Sequence, residues 1–346
     1  MKIAFLVPGP ITAISGGYGY DRRLIEGMRA LGHDVTVHEL AGQHPLPDDA
    51  ARDSARAALA RVPADARIVI DGLGLPAFEP LLDELARRGA LGLIHHPTAL
   101  EHGNPGPVRD ALRTAEQAIF PRLGGLVATS NLTARRLAPE FGADPARIGV
   151  VEPGTDPAPR GSGSGGPGCA ILAIGTLIPR KGHDVLLRAL GTLPDLDWTL
   201  TIAGGARNKV HADGLVALAE ELGIAQRVTF AGEVADMAPL WARTDLFALA
   251  THWEGYGMAA AEALARGIPV AITAGGAIAE VVPVGAGVIS PPGDVVSLGK
   301  AMRRAIFDTE LRTEMADAAW QAGQRLPRWE DRASAFVAEI EKAASR

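Results

Sequence analysis

Thr251–Val270 reads THWEGYGMAAAEALARGIPV, and the order of groups along it decides the fold. Leu246–Ala250 before it is apolar throughout, as a strand buried on both faces is, and Gly255-Tyr256-Gly257 then turns the chain. An Ala-rich helix follows until Gly267-Ile268-Pro269 stops it, and Val270–Ile272 is again strand-like. Strand, loop, helix and strand in such close succession make one unit of a parallel sheet. The spacing puts Glu254 in the strand-to-helix loop and the free N–H groups of Gly257 and Met258 at the positive end of the helix. Glu262 lies about 7–8 Å further along the axis, at about 1.5 Å per residue. Two acceptors for hydroxyls with an anion site between them suit a sugar, a diphosphate and a ribose. On spacing alone the pair reads equally well as a surface glutamate beside an ordinary helix glutamate.

The same alternation runs outward in both directions. Strands are expected at Ile3–Val7, Val35–Leu40, Ile68–Asp71, Leu91–His95, Leu126–Thr129 and Ile148–Val151, with helices such as Asp21–Leu31 and Ala50–Arg61 between them. The second half repeats it with Ala170–Gly175, Trp198–Ala203, Val228–Phe230, Leu246–Ala250, Val270–Ile272 and Gly287–Ile289, and with helices such as Asp184–Leu190 and Gly214–Leu222. Between the halves, Pro153–Gly168 is PGTDPAPRGSGSGGPG, which reads as a flexible hinge. The expected fold is α/β: two doubly wound, Rossmann-like domains facing each other across a cleft. Their bounds are 1–152, a linker at 153–168, and 169–327, with a final helix at 328–346 packing back on the first domain.

Composition narrows the function classes. The chain has 346 residues, 47% hydrophobic and 21% charged, enough for two soluble domains, and its net charge of -6 argues against a nucleic-acid surface. Its start lacks the longer apolar core of a signal peptide, and no apolar run is long enough to span a bilayer. A cytoplasmic protein is expected, with surface contact to a membrane left open. The single cysteine, Cys169, excludes a disulfide framework and a cysteine-ligated zinc site.

Two motifs are decoys. Gly161, Gly163 and Gly166 satisfy G-x-G-x-x-G, but no strand precedes them. Asp195-Leu196-Asp197 satisfies a metal-binding D-x-D, but it precedes a strand and so sits on the wrong face. The loops that look chemical all follow strands, where such sheets bind ligands: Gly16-Gly17, His95-His96, Arg180-Lys181 and Glu254. In IGTLIPRKGHD, Ile174–Asp184, a guanidinium and an ammonium at a strand's carboxyl end are placed to neutralise a departing diphosphate.

These motifs together resemble family-4 retaining glycosyltransferases of the GT-B fold. The resemblance runs from the GPxxxxxGG loop and LGHDVTVHEL, through ATSNLTARRL and VVEPGTD, to GTLIPRKG, TIAGG, FAGEV and EGYGMAAAEALARGIPV, and Trp329-Glu330 opens the final helix. It implies that Glu254 touches the transferred sugar, that Gly257 and Met258 bind the distal phosphate, and that Glu262 binds the ribose. Lys181, with Arg180, would hold the diphosphate; Gly204, Gly205, Glu233 and Val234 would line the nucleobase. Gly16 and Gly17 correspond to the close-approach loop of the first domain, and the cleft histidine aligns with His95 or its neighbour His96. It further implies a nucleotide-diphosphate sugar as co-substrate, uridine as the base, front-face transfer with retention, closure about the hinge, and neither metal nor other cofactor.

One departure from the family pattern concerns the phosphate loop. Many relatives place Gly-Arg at its start, where this chain has Gly175-Thr176, so Arg180 would have to supply the second cation. The alternative reading is a catalytically inactive sugar-nucleotide-binding protein of the same fold. A dehydrogenase lacks its fingerprint after any strand, a glycosyl phosphorylase lacks a pyridoxal phosphate motif, and a retaining hydrolase needs a matched carboxyl pair. Candidate acceptor loops are Asp71–Phe78 and Pro97–Pro107; neither has a dense basic patch, which points to a small soluble acceptor.

Overall fold

Runs of buried apolar residues make the central strands of this chain; every residue from Ile3 to Val7, for example, is buried. Strands buried on both faces belong to parallel sheets covered by helices, and all pairings here are parallel. The structure, a computed structural model, describes residues 1–101 and 103–344. It divides into two units, Met1–Gly154 with Pro327–Arg346, and Thr155–Leu326.

The first unit contains β1 (Lys2–Pro8), α1 (Gly16–Ala30), β2 (Asp34–Leu40), α2 (Asp49–Arg61), β3 (Arg67–Asp71), α3 (Leu82–Arg87), β4 (Leu91–Ile94), α4 (Gly106–Ile119), β5 (Gly125–Ala128), α5 (Asn131–Phe141) and β6 (Ile148–Val150). Its strand order is β2-β1-β3-β4-β5-β6. The chain steps from β1 out to β2, then returns to β3 on the other side. The direction of winding therefore reverses between β1 and β3, and the crevice at such a switch point is where open α/β sheets bind ligands.

The second unit holds β7 (Cys169–Ile174), α6 (His183–Gly191), β8 (Trp198–Ala203), α7 (Lys209–Glu221), β9 (Val228–Gly232), α8 (Ala238–Ala242), β10 (Leu246–Leu249), α9 (Met258–Ala265), β11 (Val270–Thr273), α10 (Ile278–Val281), β12 (Gly287–Ser290), α11 (Val295–Phe307) and α12 (Thr309–Gly323). The order β12-β11-β10-β7-β8-β9 puts its switch point between β7 and β10. A last helix, α13 (Trp329–Ala344), belongs to the first unit. It lies so close to α1 that a Cβ on Gly27 would come within 2.6 Å of the Ala333 Cβ.

Every expected strand is present, and the two sheets are α/β as read. Two helices begin earlier than the sequence suggests. α1 starts at Gly16 instead of Asp21, because the Ser15 hydroxyl accepts from the Tyr18 N–H at 3.3 Å and outweighs the glycines that follow. α7 starts at Lys209, capped by Asn208 on the His211 N–H at 3.0 Å. The stretch expected as a free hinge is tied to the second unit from Gly161 on. The Gly161 N–H donates to Arg266 O at 2.8 Å, the Ser162 hydroxyl to Ala242 O at 3.0 Å, and the Ser164 hydroxyl to Asp245 Oδ2 at 2.6 Å. Asp245 also accepts from the Ala170 N–H at 2.8 Å, so one carboxylate pins the glycine-rich stretch to the start of β7. Of the expected acceptor loop 97–107, His102 lies outside the described residues, as do residues 345–346 of the expected final helix.

Candidate active site

In the second unit, the loops after β7 and β10 meet at the switch point. The Lys181 Nζ lies 2.6 Å from Glu254 Oε1 and the Arg180 Nη1 3.5 Å from the same oxygen. The Thr251 hydroxyl donates to Oε1 at 3.2 Å and Arg180 donates to Trp253 O at 2.6 Å. All donors converge on Oε1; Oε2 accepts none among the described residues. The two loops are stitched by backbone as well, through the His252 N–H to Arg180 O at 2.8 Å. Glycine makes this approach possible: Gly182 has φ +62°, and a Cβ there would stand 2.0 Å from Ala250 O. Gly175 lets the Lys181 stem lie across it, a Cβ being 3.0 Å from Lys181 Cδ.

The charges respond to this crowding. Burial would raise Glu254, but Lys181 and Arg180 outweigh it and hold the carboxyl below its ordinary range. Burial also lowers Lys181, with Arg180 adding to the effect against Glu254, so the ammonium sits below the usual lysine range. The cluster holds two cations and one carboxylate, so one positive charge is left over at the end of the sheet.

Beside it, α9 opens at Gly257, whose φ of +110° admits no side chain without strain and whose Cβ would meet Ile278 at 2.7 Å. The N–H groups of Met258 and Ala259 begin the helix and have no partner within it. Glu262 sits on the same helix, half-buried, and its carboxylate makes no hydrogen bond or ion pair among the described residues. Burial raises its pKa, with Asp156 adding to this and Arg266 opposing it. Gly204 and Gly205 follow β8 and Glu233 and Val234 follow β9, on the far side of β7. The Gly204 N–H donates to Gly232 O at 2.8 Å, which holds these two loops together. A Cβ on Gly204 would stand 1.9 Å from Gly175 O, so the loop after β7 leans directly on this turn. Thr176 stands where the resemblance led to expect a cation.

The first unit builds a different cluster at its own switch point. His95 follows β4, and its Nε2 lies 3.1 Å from Asp21 Oδ1 and 3.2 Å from Asp71 Oδ2. Asp21 comes from α1 and Asp71 ends β3, and both are fully buried. The Tyr20 ring meets His95 edge-on at 5.3 Å, and Thr129 donates to His95 O at 3.1 Å. A Cβ on Gly17 would stand 3.5 Å from the His95 ring, an ordinary contact, so His95 itself does not demand glycine there. Gly16 is the first residue of α1, and His96 is half-buried beside His95. Asp21, Asp71 and His95 are the one trio of His, Asp or Glu among the described residues with donor atoms all within 4.8 Å of one another; the N–H···O contacts already span that space.

Asp21 was not legible as a site residue, since it lies in no recognised motif; Asp71 was named only as the start of a candidate acceptor loop, and the further signal available for it was its place at the carboxyl end of a strand. Glu116 of α4 was also missed. It accepts from the Thr98 N–H at 2.5 Å, the Thr98 hydroxyl at 2.8 Å and the Ala99 N–H at 3.2 Å, fixing the loop that follows His95-His96. The decoys are structural. Asp195 forms a two-pronged ion pair with Arg303 at 2.7 and 2.8 Å, and Gly168 packs on Asp197.

Residues 161–322 match the family model described as glycosyl transferases group 1. The chain is 34% identical over 202 residues to a D-inositol 3-phosphate glycosyltransferase of Mycobacterium sp. strain KMS, covering 54% of this chain and 45% of that protein. A Mycobacterium tuberculosis protein of the same name is 35% identical over 217 residues, 56% of this chain and 45% of its own. The match thus spans less than half the length of these relatives. Sucrose-phosphate synthase from Thermosynechococcus elongatus superposes with a TM-score of 0.79 at 19% identity, covering 97% of each chain. Anabaena HepE in complex with UDP-glucose gives 0.71 at 20%, covering 100% of this chain and 98% of the other. The chain has the GT-B fold, and its sequence similarity to glycosyltransferases agrees with what the motifs implied. Among the described residues, no helix is long and apolar enough to cross a membrane.

Proposed function

We propose that the chain is a retaining glycosyltransferase that moves a sugar from a nucleotide-diphosphate sugar, with uridine as the base, to a hydroxyl of a small-molecule acceptor. The observation that carries this reading is the convergence of Lys181, Arg180 and Glu254 beside the open N-terminus of α9. An ammonium has three donors; Glu254 takes one, and two remain for diphosphate oxygens. The helix N-terminus receives the distal phosphate, and the unpaired Glu262 carboxylate accepts from the ribose hydroxyls. Glu254 Oε2 accepts from the transferred sugar while Oε1 stays on its cations. The UDP-glucose in the Anabaena structure supports the donor class. The name of the mycobacterial relatives supports a small hydroxylated acceptor.

Transfer on this reading proceeds on the face from which the diphosphate departs. The cations stabilise the charge that builds on the leaving phosphate, whose own oxygen takes the acceptor's proton. Arg180 and Lys181 do the neutralising, so the reaction needs no metal. In the first unit, Asp21 and Asp71 are sealed against His95 and are not available as a covalent nucleophile.

The test is calorimetric binding of the uridine, guanosine, adenosine and thymidine diphosphates to the wild type and to Glu262→Ala, followed by sugar transfer with and without chelator. Selective binding of one diphosphate, weakened by Glu262→Ala, supports the donor site; NMR of the product anomer then reads retention. Equal binding by the variant overturns the placement of Glu262. Thr176 favours a second reading, an inactive sugar-nucleotide binder, because it leaves the start of the phosphate loop without a cation. Diphosphate binding without turnover on a panel of polyol and sugar acceptors selects it.

A further inference from the structure

We propose that Asp21 and Asp71 are positioning residues that hold His95 as an imidazolium, making it a fixed cation and N–H donor and not a general base. That His95 serves an acceptor rests on the transferase reading; its protonation state does not. Two carboxylate oxygens, at 3.1 and 3.2 Å, approach the same ring nitrogen. A bare Nε2 lone pair facing both would be repelled, so Nε2 carries the hydrogen and shares it between them. The second proton follows from the surroundings. Asp21 and Asp71 are 0% and 1% exposed, and among the described residues the ring is the one cationic group in contact with both of these carboxylates sealed from water.

Asp21 underlines the cost of this arrangement. Its Oδ2 is buried with no hydrogen-bond partner, a state proteins rarely keep without a reason. Asp71 is better supported, its Oδ1 accepting from the Leu73 N–H at 2.8 Å. Burial alone would discharge His95, yet Asp21 first and Asp71 with it raise its pKa to about 10. Burial and Asp71 raise Asp21 to about 6, against the pull of His95. The other ionisable groups around the cluster are Tyr20 on α1, His44 after β2, whose charge Asp71 favours, and Arg332 on α13, felt by Tyr20.

The consequence is a division of labour within one ring. Nε2 is turned to the aspartates, while Nδ1 makes no hydrogen bond among the described residues. Nδ1–H is therefore the group offered to a substrate oxygen, and a ring already holding both protons takes none from an attacking hydroxyl. Acceptor activation then has to come from the leaving phosphate.

The test is long-range 1H–15N spectroscopy of the full chain, ring-labelled at histidine, from about pH 5.5 to about 9.5, with His95→Gln for assignment. Both His95 nitrogens are expected at imidazolium shifts through about pH 8.5, with Asp21→Asn and Asp71→Asn each moving the titration at least about one unit towards 6.5. A neutral tautomer in the wild type at pH 7.5 overturns the proposal without recourse to any variant. So does a metal-bound Nε2 shift that a chelator abolishes, or an unchanged titration in a folded Asp21→Asn. None of these readings requires turnover, so failure of the transferase reading leaves the outcome distinct. Where transfer is measured, Asp21→Asn is expected to add an alkaline loss of kcat that the wild type lacks.

Discussion

Replacing Lys181 with alanine separates the structural and the ligand-binding roles of the phosphate loop. Lys181 and Glu254 are 15% and 12% exposed, so their 2.6 Å contact is largely withdrawn from water and its loss is felt. Arg180, at 3.5 Å, and Thr251 remain on the carboxylate, which limits the fall in folding stability to about 1–3 kcal/mol. Ligand binding loses a charge-assisted hydrogen bond, worth about 1.5–3 kcal/mol. At 1.4 kcal/mol per factor of ten, nucleoside diphosphate binds about 10–150-fold more weakly. The cluster also passes from a net single positive charge to none, which pushes the effect to the upper end. In turnover, a further loss of about 2.7–4 kcal/mol is expected if Lys181 stabilises the leaving group, or about 100- to 1000-fold in kcat. Calorimetry with the nucleoside diphosphate reads the first effect and steady-state kinetics the second. Adding Glu254→Gln to Lys181→Ala is expected to restore part of the diphosphate affinity, since it removes the negative charge that then cancels Arg180. Binding by Lys181→Ala within about threefold of the wild type would refute the reasoning, because no diphosphate contact could then run through Nζ.

Further outcomes follow from neighbouring geometry. Gly204→Ala places a Cβ 1.9 Å from Gly175 O; the loops must part, and urea unfolding is expected to show a loss of about 1–3 kcal/mol together with weaker diphosphate binding. Glu254 is held below its ordinary 4.5, so its contribution to stability is present above that pH and lost as pH falls through the lower folded value; Glu254→Gln is expected to flatten this part of the acid limb. Cys169 is buried with its thiol pushed up to about 12, so its reaction with a thiol reagent at neutral pH is expected to wait on unfolding, reacting at once only in denaturant.

The strands were legible because a parallel sheet buried on both faces leaves only apolar residues to choose from, as in Phe247, Ala248 and Leu249. The convergence of the second-unit groups was legible for a related reason. Glu254, Lys181 and the α9 N-terminus are local consequences of strand-loop-helix units, and their spacing survives in the sequence. The first-unit cluster was not. Asp21 lies in the helix after β1 and Asp71 at the end of β3, and only the reversal between β1 and β3 brings them to His95. Helix starts failed where capping overrode propensity, at Ser15 before a run of glycines and at Asn208. The glycine-rich stretch failed differently: composition reports how freely a segment can bend, while Asp245 decides whether it does.

The two switch points solve the problem of buried charge in opposite directions, and this bears on what each can bind. In the second unit, one carboxylate holds two cations, so the cluster has positive charge to spare for the diphosphate of the proposed donor. In the first, two carboxylates hold one imidazolium, so the balance is negative and a second anion is disfavoured. A diphosphate therefore partitions to the second unit on charge alone, before any contact with its sugar or base is counted. A neutral polyhydroxylated molecule carries no such preference, and Nδ1–H of His95 remains as a donor to one of its oxygens. If the charge balance is what sorts the two ligands, His95→Gln, which deepens the negative charge, should spare diphosphate affinity while impairing transfer. A comparable loss in diphosphate affinity would mean that the first unit takes part in holding the donor and that charge does not do the sorting.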